Sequence, residues 1–141
     1  PMTLYRYGEA LATNPADKFI FGHCLQDKAR HLAYGMAHLK YAIEQRGSDY
    51  SLGLQRLMAG VEQDLASEME DPVLWEALAI IFGDGIRDIV AGMDVVKDLQ
   101  QQYIEQYLAR MQWIGGRKTH GNLNQDLAAY LRLPKTTQAS N

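Results

Sequence analysis

The sequence is poor in cysteine, in long apolar runs and in clustered basic charge. Cys24 is the only cysteine among 141 residues, so the chain forms no internal disulfide, and a lone thiol suits a reducing cytoplasm. No apolar run reaches the roughly 18 residues of a membrane span, and the N-terminus lacks the basic-then-apolar order of a signal peptide. The longest basic cluster is GRKTH at 116–120, and the formal net charge is −3, which argues against a nucleic-acid-binding face. We therefore expect a soluble cytoplasmic protein with no nucleic-acid and no membrane partner.

Length and composition are those of one ordinary globular domain. Hydrophobic residues make up 47% of the chain and charged residues 22%, and a chain of this length can bury a core without disulfides. The sequence opens with Pro1 followed by Met2. Removal of a preceding methionine would explain this start, and so would a fragment cut from a longer protein. Both explanations stay open.

Helical periodicity replaces the missing strand signals. Asn14-Pro15 predicts the start of the first main helix, because asparagine caps helices and proline fits the first helical position. Gly47 predicts the end of that helix, and Asp71-Pro72 predicts another start. The first main helix has apolar residues at spacings of three and four, namely Leu25, Ala29, Leu32, Met36, Leu39 and Ile43.

The segment GDG at 83–85 interrupts the apolar pattern. It lacks the Gly-Lys-Ser/Thr ending of a phosphate loop and the regular acid spacing of a calcium-binding EF-hand loop, so we interpret it as a helix break or kink. Periodicity resumes at Ile86 and ends at Gly115-Gly116. A last short helix is predicted from about Asn124 to Leu131.

These elements predict an all-α protein. Four main helices with short connections, followed by a short C-terminal helix, are typical of an antiparallel helical bundle. We expect one domain over residues 1–133 and a disordered polar tail over 134–141.

The first main helix carries three of the four histidines of the chain. His23, Asp27 and His31 follow one another at spacings of four, and two residues four apart on a helix can share a metal ion. Asp27 with either histidine would supply half of a metal site. The alternative is that His23 and Asp27 point to solvent while His31 forms a hydrogen bond to a neighbouring helix.

Lys28 occupies an uncommon place on this helix. At about 100° per residue, it lies roughly 60° from the centre of the apolar stripe, and His31 lies roughly 120° away. His38 continues the same flank. A lysine so close to a core needs a carboxylate partner or a route to solvent, because burying an unpaired ammonium group is costly.

The segment LQDKARHLAYGM, residues 25–36, resembles the Asp-Glu-Ala-Arg-His-Val-Ala-Phe/Tyr-Gly segment of bacterial ferritin-like proteins, which are diiron-carboxylate relatives of the p-aminobenzoate N-oxygenases. The preceding NPADKFIFGHC resembles the lead-in to the last helix of their bundle. The resemblance covers about residues 14–46 and implies a ferritin-like fold. It implies that His31 is the histidine ligand of a metal, that Asp27 supports the ligands and that Arg30 is the neighbouring arginine. Tyr34 and Gly35 match the aromatic-glycine pair.

The chain departs from this family at the centre of the motif. Lys28 stands where the family has a glutamate ligand, and a protonated ammonium group cannot coordinate a metal. A carboxylate-bridged diiron site also needs a Glu-x-x-His motif from each of two helices, and this sequence contains none. Its only other histidine is His120. Lys28 could instead replace the charge of the metal by pairing with a carboxylate, for which the available acids on other helices are Glu62, Glu68 and Glu76.

Two functional interpretations follow. In the first, the protein is a ferritin-like metal-binding oxidoreductase that uses iron or manganese in an incomplete site, with His31, Asp27 and His23 as candidate ligands. In the second, it binds no metal and acts as a non-catalytic dimeric interaction module, with Lys28 in a buried ion pair. Either site would be lined by Lys28, Arg30, Tyr34 and His38.

The segment WEALAIIFGDGIRDIVAGMDVV, residues 75–96, is apolar on more than one face. A helix of this kind needs two layers of partners, and a chain with four main helices has few to offer. We therefore expect a homodimer in which a second copy covers part of this segment.

Overall fold

The computed structural model describes residues 2–83, 85–116 and 123–131, and over these residues the chain is helical with no strand. The helices are α1 (Met2–Leu11), α2 (Pro15–Met69), α3 (Pro72–Phe82), a 3₁₀ turn (Ile86–Asp88), α4 (Ile89–Trp113) and α5 (Gln125–Tyr130). The all-α prediction is confirmed, whereas the ferritin-like arrangement stays a prediction. Within the described ranges, none of the helices combines the length and apolarity that crossing a membrane requires. The predicted tail at 134–141 and His120 lie outside the described residues.

Side-chain caps set the predicted helix starts. The backbone N–H of Ala16 donates to Asn14 Oδ1 at 2.8 Å, and that of Val73 donates to Asp71 Oδ1 at 2.9 Å. The short α5 begins in the same way, because Asp126 N–H donates to Asn124 Oδ1 at 2.8 Å. Each bond satisfies one of the donors that the first turn of a helix leaves unpaired.

The helix break predicted at Gly47 is confirmed. Gly47 has a φ of 72° and a ψ of −157°, which are not helical values, and the helical stretches 15–46 and 48–69 meet there at a kink. Glycine reaches this positive φ without a steric penalty. The two stretches follow each other directly and are together called α2 (Pro15–Met69).

The break at 83–85 is confirmed. α3 ends at Phe82, the backbone N–H of Gly83 donates to Ala79 O at 2.8 Å, and Gly85 has a φ of 94°. The chain passes through the 3₁₀ turn before α4 begins.

The chain divides into two compact units. Unit 1 has its described residues at 2–58 and 106–116. Here α1 packs on the start of α2, where a Cβ placed on Gly8 would lie 2.7 Å from Phe21 Cδ1. Tyr5 and Phe21 bring their ring centroids within 6.5 Å of each other. The sequence-based prediction lacked α1, which is only 10 residues long and is held by these tertiary contacts.

Unit 2 has its described residues at 59–83, 85–105 and 123–131. The C-terminal end of α2 is anchored at Met69, whose carbonyl oxygen accepts from Gln100 Nε2 at 3.3 Å and from the Tyr130 hydroxyl at 3.0 Å. The indole N–H of Trp75 donates to Glu68 O at 2.9 Å. These bonds satisfy carbonyl groups that the last turn of a helix cannot pair internally.

Candidate functional site: the outer face of α2

The N-terminal half of α2 has one packed side and one exposed side. Phe21, which packs on α1 at Gly8, belongs to the packed side. The side chains of the opposite side lie within about 60° of one direction on the helix surface, at about 100° per residue. We call this side the outer face; it consists of Phe19, Ile20, His23, Asp27, Arg30, His31, Tyr34, His38 and Tyr41.

The carboxylate of Asp27 contacts two side chains of the outer face. Its Oδ1 accepts a hydrogen bond from Arg30 Nη2 at 3.1 Å, and its Oδ2 lies 3.6 Å from His31 Nδ1. The hydrogen bond from Arg30, and after it the charge of His31, hold the pKa of Asp27 below its ordinary value. Asp27 is therefore ionised at neutral pH and available to a cation.

His23 is hydrogen-bonded to Phe19 and not to Asp27. Its Nδ1 donates to the carbonyl oxygen of Phe19 at 3.0 Å, and its ring centroid lies 3.9 Å from that of Phe19. The structure thus brings Asp27 and His31 together and orients His23 toward the preceding turn. Of the three candidate ligands, Asp27 and His31 form the pair.

Lys28 lies outside the core of this chain. The sequence placed it near the buried side of the helix, but the residue is exposed, because α2 is covered along a narrower strip than its apolar stripe suggested. Glu62, one of the acids considered for it, is 2% exposed and accepts a hydrogen bond from the backbone N–H of Asn124 at 3.2 Å. Glu68 and Glu76 are exposed. Being exposed, Lys28 forms no buried ion pair among the residues that the structure describes.

Aromatic side chains continue the outer face beyond the Asp27–His31 pair. Tyr34 and His38 are both exposed, and their rings are stacked with centroids 6.3 Å apart at an interplanar angle of 17°. Arg30 is exposed beside them. The four residues predicted to line the site are thus all accessible to a partner or a ligand, since Lys28 is exposed as well.

Asp27 and His31 are two adjacent side chains of the outer face whose chemistry is that of metal ligands. Across the ranges 2–83, 85–116 and 123–131, no group of three or more histidine, cysteine, aspartate or glutamate side chains could hold a metal ion. Asp27 and His31 supply two donors of suitable chemistry, a carboxylate and an imidazole. A complete site with three or four protein ligands would need donors from elsewhere.

A second exposed surface lies in unit 2. We call it the aliphatic surface; it consists of Val73, Ile81, Ile86 and Val90. Each of these side chains is between 70% and 76% exposed, although all four belong to the segment around α3 and the start of α4. The exposed Arg87 and Asp88 lie beside Ile86 and Val90 in the sequence. Ile81, Ile86 and Val90 lie in the segment 75–96, and the homodimer contact expected of that segment stays a prediction.

Sequence reasoning missed part of the outer face. Phe19, Ile20 and Tyr41 are all more than half exposed, and none of them was singled out. The signal was present, because these residues lie on the side of α2 opposite the apolar stripe, two of them near its start and one 21 positions later.

Comparison of the chain with protein-family models, with curated proteins and with solved structures finds no match.

Proposed function

We propose that the protein is a ferritin-like metal-binding protein in which one chain supplies half of the metal site. The adjacency of Asp27 Oδ2 and His31 Nδ1, 3.6 Å apart on an exposed side of α2, is the observation that carries this proposal. The resemblance of residues 25–36 to the ferritin-like segment points to the same two side chains. Further helices covering the outer face would supply the remaining ligands.

The chemistry of the pair suits iron or manganese. A carboxylate and an imidazole are ligands that both metals accept, and the low pKa of Asp27 keeps that carboxylate charged. The guanidinium group of Arg30 has to release Asp27 Oδ1 for both oxygens to face a cation. Iron or manganese held there would supply one-electron redox chemistry, so oxidoreductase activity is the reaction class that follows from occupancy.

Lys28 opposes cation binding. It is exposed one residue after Asp27, at the position where the resembled family has a glutamate. Its ammonium charge raises the electrostatic cost of placing a second cation nearby. Lys28 therefore weakens the affinity of the half-site, and a carboxylate at this position would add a third donor.

Metal titration of the purified chain tests this function. We expect anaerobic titration with Fe(II), and separately with Mn(II), to show binding that His31→Ala and Asp27→Asn each weaken at least tenfold, since the loss even of residues that only orient ligands costs about 10–100-fold. Lys28→Glu should strengthen binding. A stoichiometry of one metal per two chains would indicate that two copies share the site.

His23→Ala is the matched control, because His23 lies on the same face but is bonded to Phe19. Its affinity should equal that of the unchanged chain. If His31→Ala binds metal as tightly as His23→Ala does, the assignment of the half-site is wrong.

The exposure of the aliphatic surface favours a second candidate function. In this alternative the protein binds no metal and is a homodimeric interaction module. Fully burying one valine or isoleucine side chain contributes about 1.5–3 kcal/mol, so covering four of them is a substantial driving force. Arg87 and Asp88 place both signs of charge beside the surface, which suits a self-complementary two-fold contact, the commonest form of oligomer.

Light scattering coupled to size-exclusion chromatography tests the dimer. Ile81→Asp should convert the dimer to a monomer, because a carboxylate would be buried without a partner. Val61→Asp makes the same kind of change at an exposed position outside the aliphatic surface and should leave the dimer intact. A metal-free dimer that also fails to bind Fe(II) and Mn(II) would favour this alternative over the metal-binding function.

A further inference from the structure

The outer face of α2 has exposed apolar and aromatic side chains toward both of its ends. Phe19, Ile20, Tyr34 and Tyr41 are between 56% and 76% exposed, and they lie on one side of the helix over about six turns. The charged or polar Asp27, Arg30 and His31 lie between the two pairs. Isolated exposed apolar residues are ordinary, whereas several on one side of one helix indicate an interaction surface.

The charges inside this face indicate which partner and in which direction. Asp27 and Arg30 carry opposite charges one turn apart near its middle. If two copies packed in parallel, Asp27 would face Asp27 and Arg30 would face Arg30, so that like charges met. If they packed antiparallel around a two-fold axis at the level of residues 28 and 29, Asp27 of each copy would face Arg30 of the other. Opposite charges then meet twice.

The same register brings two further pairs of side chains together. It sets His23 opposite Tyr34 and Phe19 opposite His38, so that each pair joins an aromatic ring to an imidazole. Within one chain the rings of Phe19 and His23 already lie against each other at a tilt, and those of Tyr34 and His38 are stacked. The charge pairing defines the register, and these two ring pairs are compatible with it, while Ile20, His31 and Tyr41 lie opposite Ala37, Gln26 and Ala16.

We propose that the outer faces of two copies of this chain pack against each other as antiparallel helices, with Asp27 of each copy paired to Arg30 of the other. The contact uses unit 1 and is separate from the aliphatic surface of unit 2. Because Asp27 accepts this ion pair, a metal ion at Asp27 and His31 would have to displace Arg30 of the other copy, so the packing and the proposed metal site are separate claims.

Disulfide cross-linking between engineered cysteines tests the register of the two helices directly. In a Cys24→Ser background, a chain with His23→Cys is mixed with a chain with Tyr34→Cys under mild oxidation. We expect the mixture to form a disulfide-linked heterodimer at least tenfold faster than either chain forms a homodimer. In the antiparallel register, position 23 of one copy lies eleven residues, or roughly 16 Å along the helix, from position 23 of the other copy, and the same offset holds for position 34. A disulfide needs Cα atoms about 4.4–6.8 Å apart, so neither cysteine can pair with its own equivalent.

Asp17→Cys mixed with Tyr34→Cys measures the rate of random collision, because Asp17 is exposed but lies about 100° around the helix from the centre of the outer face and six residues from the position opposite Tyr34. If His23→Cys alone cross-links as fast as the mixture, the helices are parallel and the register is wrong. If the mixture reacts no faster than the Asp17 control, the outer face does not bind a second copy. Retained helicity, checked by circular dichroism, ensures that all chains are folded.

Charge reversal separates this packing from the metal proposal. Asp27→Arg alone sets Arg opposite Arg and should lower the cross-linking rate at least tenfold, whereas the double variant Asp27→Arg with Arg30→Asp should restore it. The double variant lacks the carboxylate at position 27, so its metal binding should remain lost. Cross-linking without metal binding in the unchanged chain would overturn the metal function alone, and metal binding without cross-linking would overturn the packing alone.

Discussion

The outer face of α2 in unit 1 and the α2 terminus in unit 2 are held by different kinds of contact. On the outer face, Asp27 contacts Arg30 and His31, which are three and four residues away. At the terminus, Met69 O accepts from Gln100 and Tyr130, which are 31 and 61 residues away. Contacts within one helix orient side chains without covering them, whereas contacts between distant elements bury them. The comparison teaches that side chains can be oriented by contacts within one helix and still be exposed to solvent.

Two glycines show the same difference between a packed and an open part of the chain. In unit 2, a Cβ placed on Gly92 would overlap the backbone carbonyl group of Ala79, which is fully buried. In unit 1, a Cβ on Gly35 would have no neighbour within 4 Å. The helices α3 and α4 therefore cross at backbone contact, while this part of α2 has open space beside it.

The largest effect is expected from Gly92→Ala. The added methyl group would push the main chain of α3 and α4 apart, and because a backbone cannot rotate away as a side chain does, the cost should be about 3 kcal/mol, the upper end for overpacking. Urea denaturation measures the free energy of unfolding.

Gly35→Ala is the matched substitution in unit 1. It replaces a helical glycine where there is space, so it should stabilise the chain by roughly 0.5–1 kcal/mol. Equal effects of the two substitutions would remove the contrast between the units.

A smaller loss is expected from Tyr130→Phe. The change removes the hydrogen bond from the hydroxyl to Met69 O and should cost about 0.5–1.5 kcal/mol at neutral pH. Burial, with Glu70 and Asp126 after it, raises the pKa of Tyr130 above its usual value. A raised folded-state pKa means that this contribution is complete below the ordinary tyrosine value and is lost as pH rises through the folded-state pKa.

Thermal unfolding of Tyr130→Phe and of the unchanged chain across alkaline pH measures this loss. The two midpoints should converge as pH rises. A difference that stays constant through the alkaline range would contradict an anchoring role for the hydroxyl group.

The smallest effect is expected from Asp27→Asn in metal-free protein. The lowered pKa of Asp27 means that its stabilising contribution is present at neutral pH and disappears as pH falls through the folded-state pKa. Because the pair with Arg30 is solvent-exposed, the change in thermal midpoint should be close to the detection limit. A large change would mean that Asp27 is buried in solution, as it would be if the outer face were covered in the unchanged protein.

Helix positions followed from the sequence where local chemistry decides them. Asn14, Asp71 and Asn124 each accept a hydrogen bond from a backbone N–H two residues ahead, so a short window of sequence contains all the information. The break at Gly83 and Gly85 has the same origin. The α1 helix was missed because its packing on Phe21, 13 residues after Gly8, is not visible in such a window.

The candidate site was predictable only in part. The spacing of four between Asp27 and His31 predicted that the two could meet, since a helix brings such residues to one side. His23 has the same spacing to Asp27, but the choice between Asp27 and the carbonyl group of Phe19 as its partner depends on side-chain rotation. The exposure of Lys28 depends on how much of the α2 surface other elements cover. The residue pattern of α2 itself does not specify that.

The sequence by itself determined the all-helical class, the capped helix starts, the break between α3 and α4 and the proximity of Asp27 to a histidine on its own helix, because each depends on residues within about four positions of one another. Only the structure decided that His31 is that histidine, that Glu62 is buried against Asn124, that Gly92 meets Ala79 and that Phe19, Ile20, Tyr34 and Tyr41 on α2 are exposed. Burial is a property of which elements meet, and residues far apart in sequence meet only when the chain has folded.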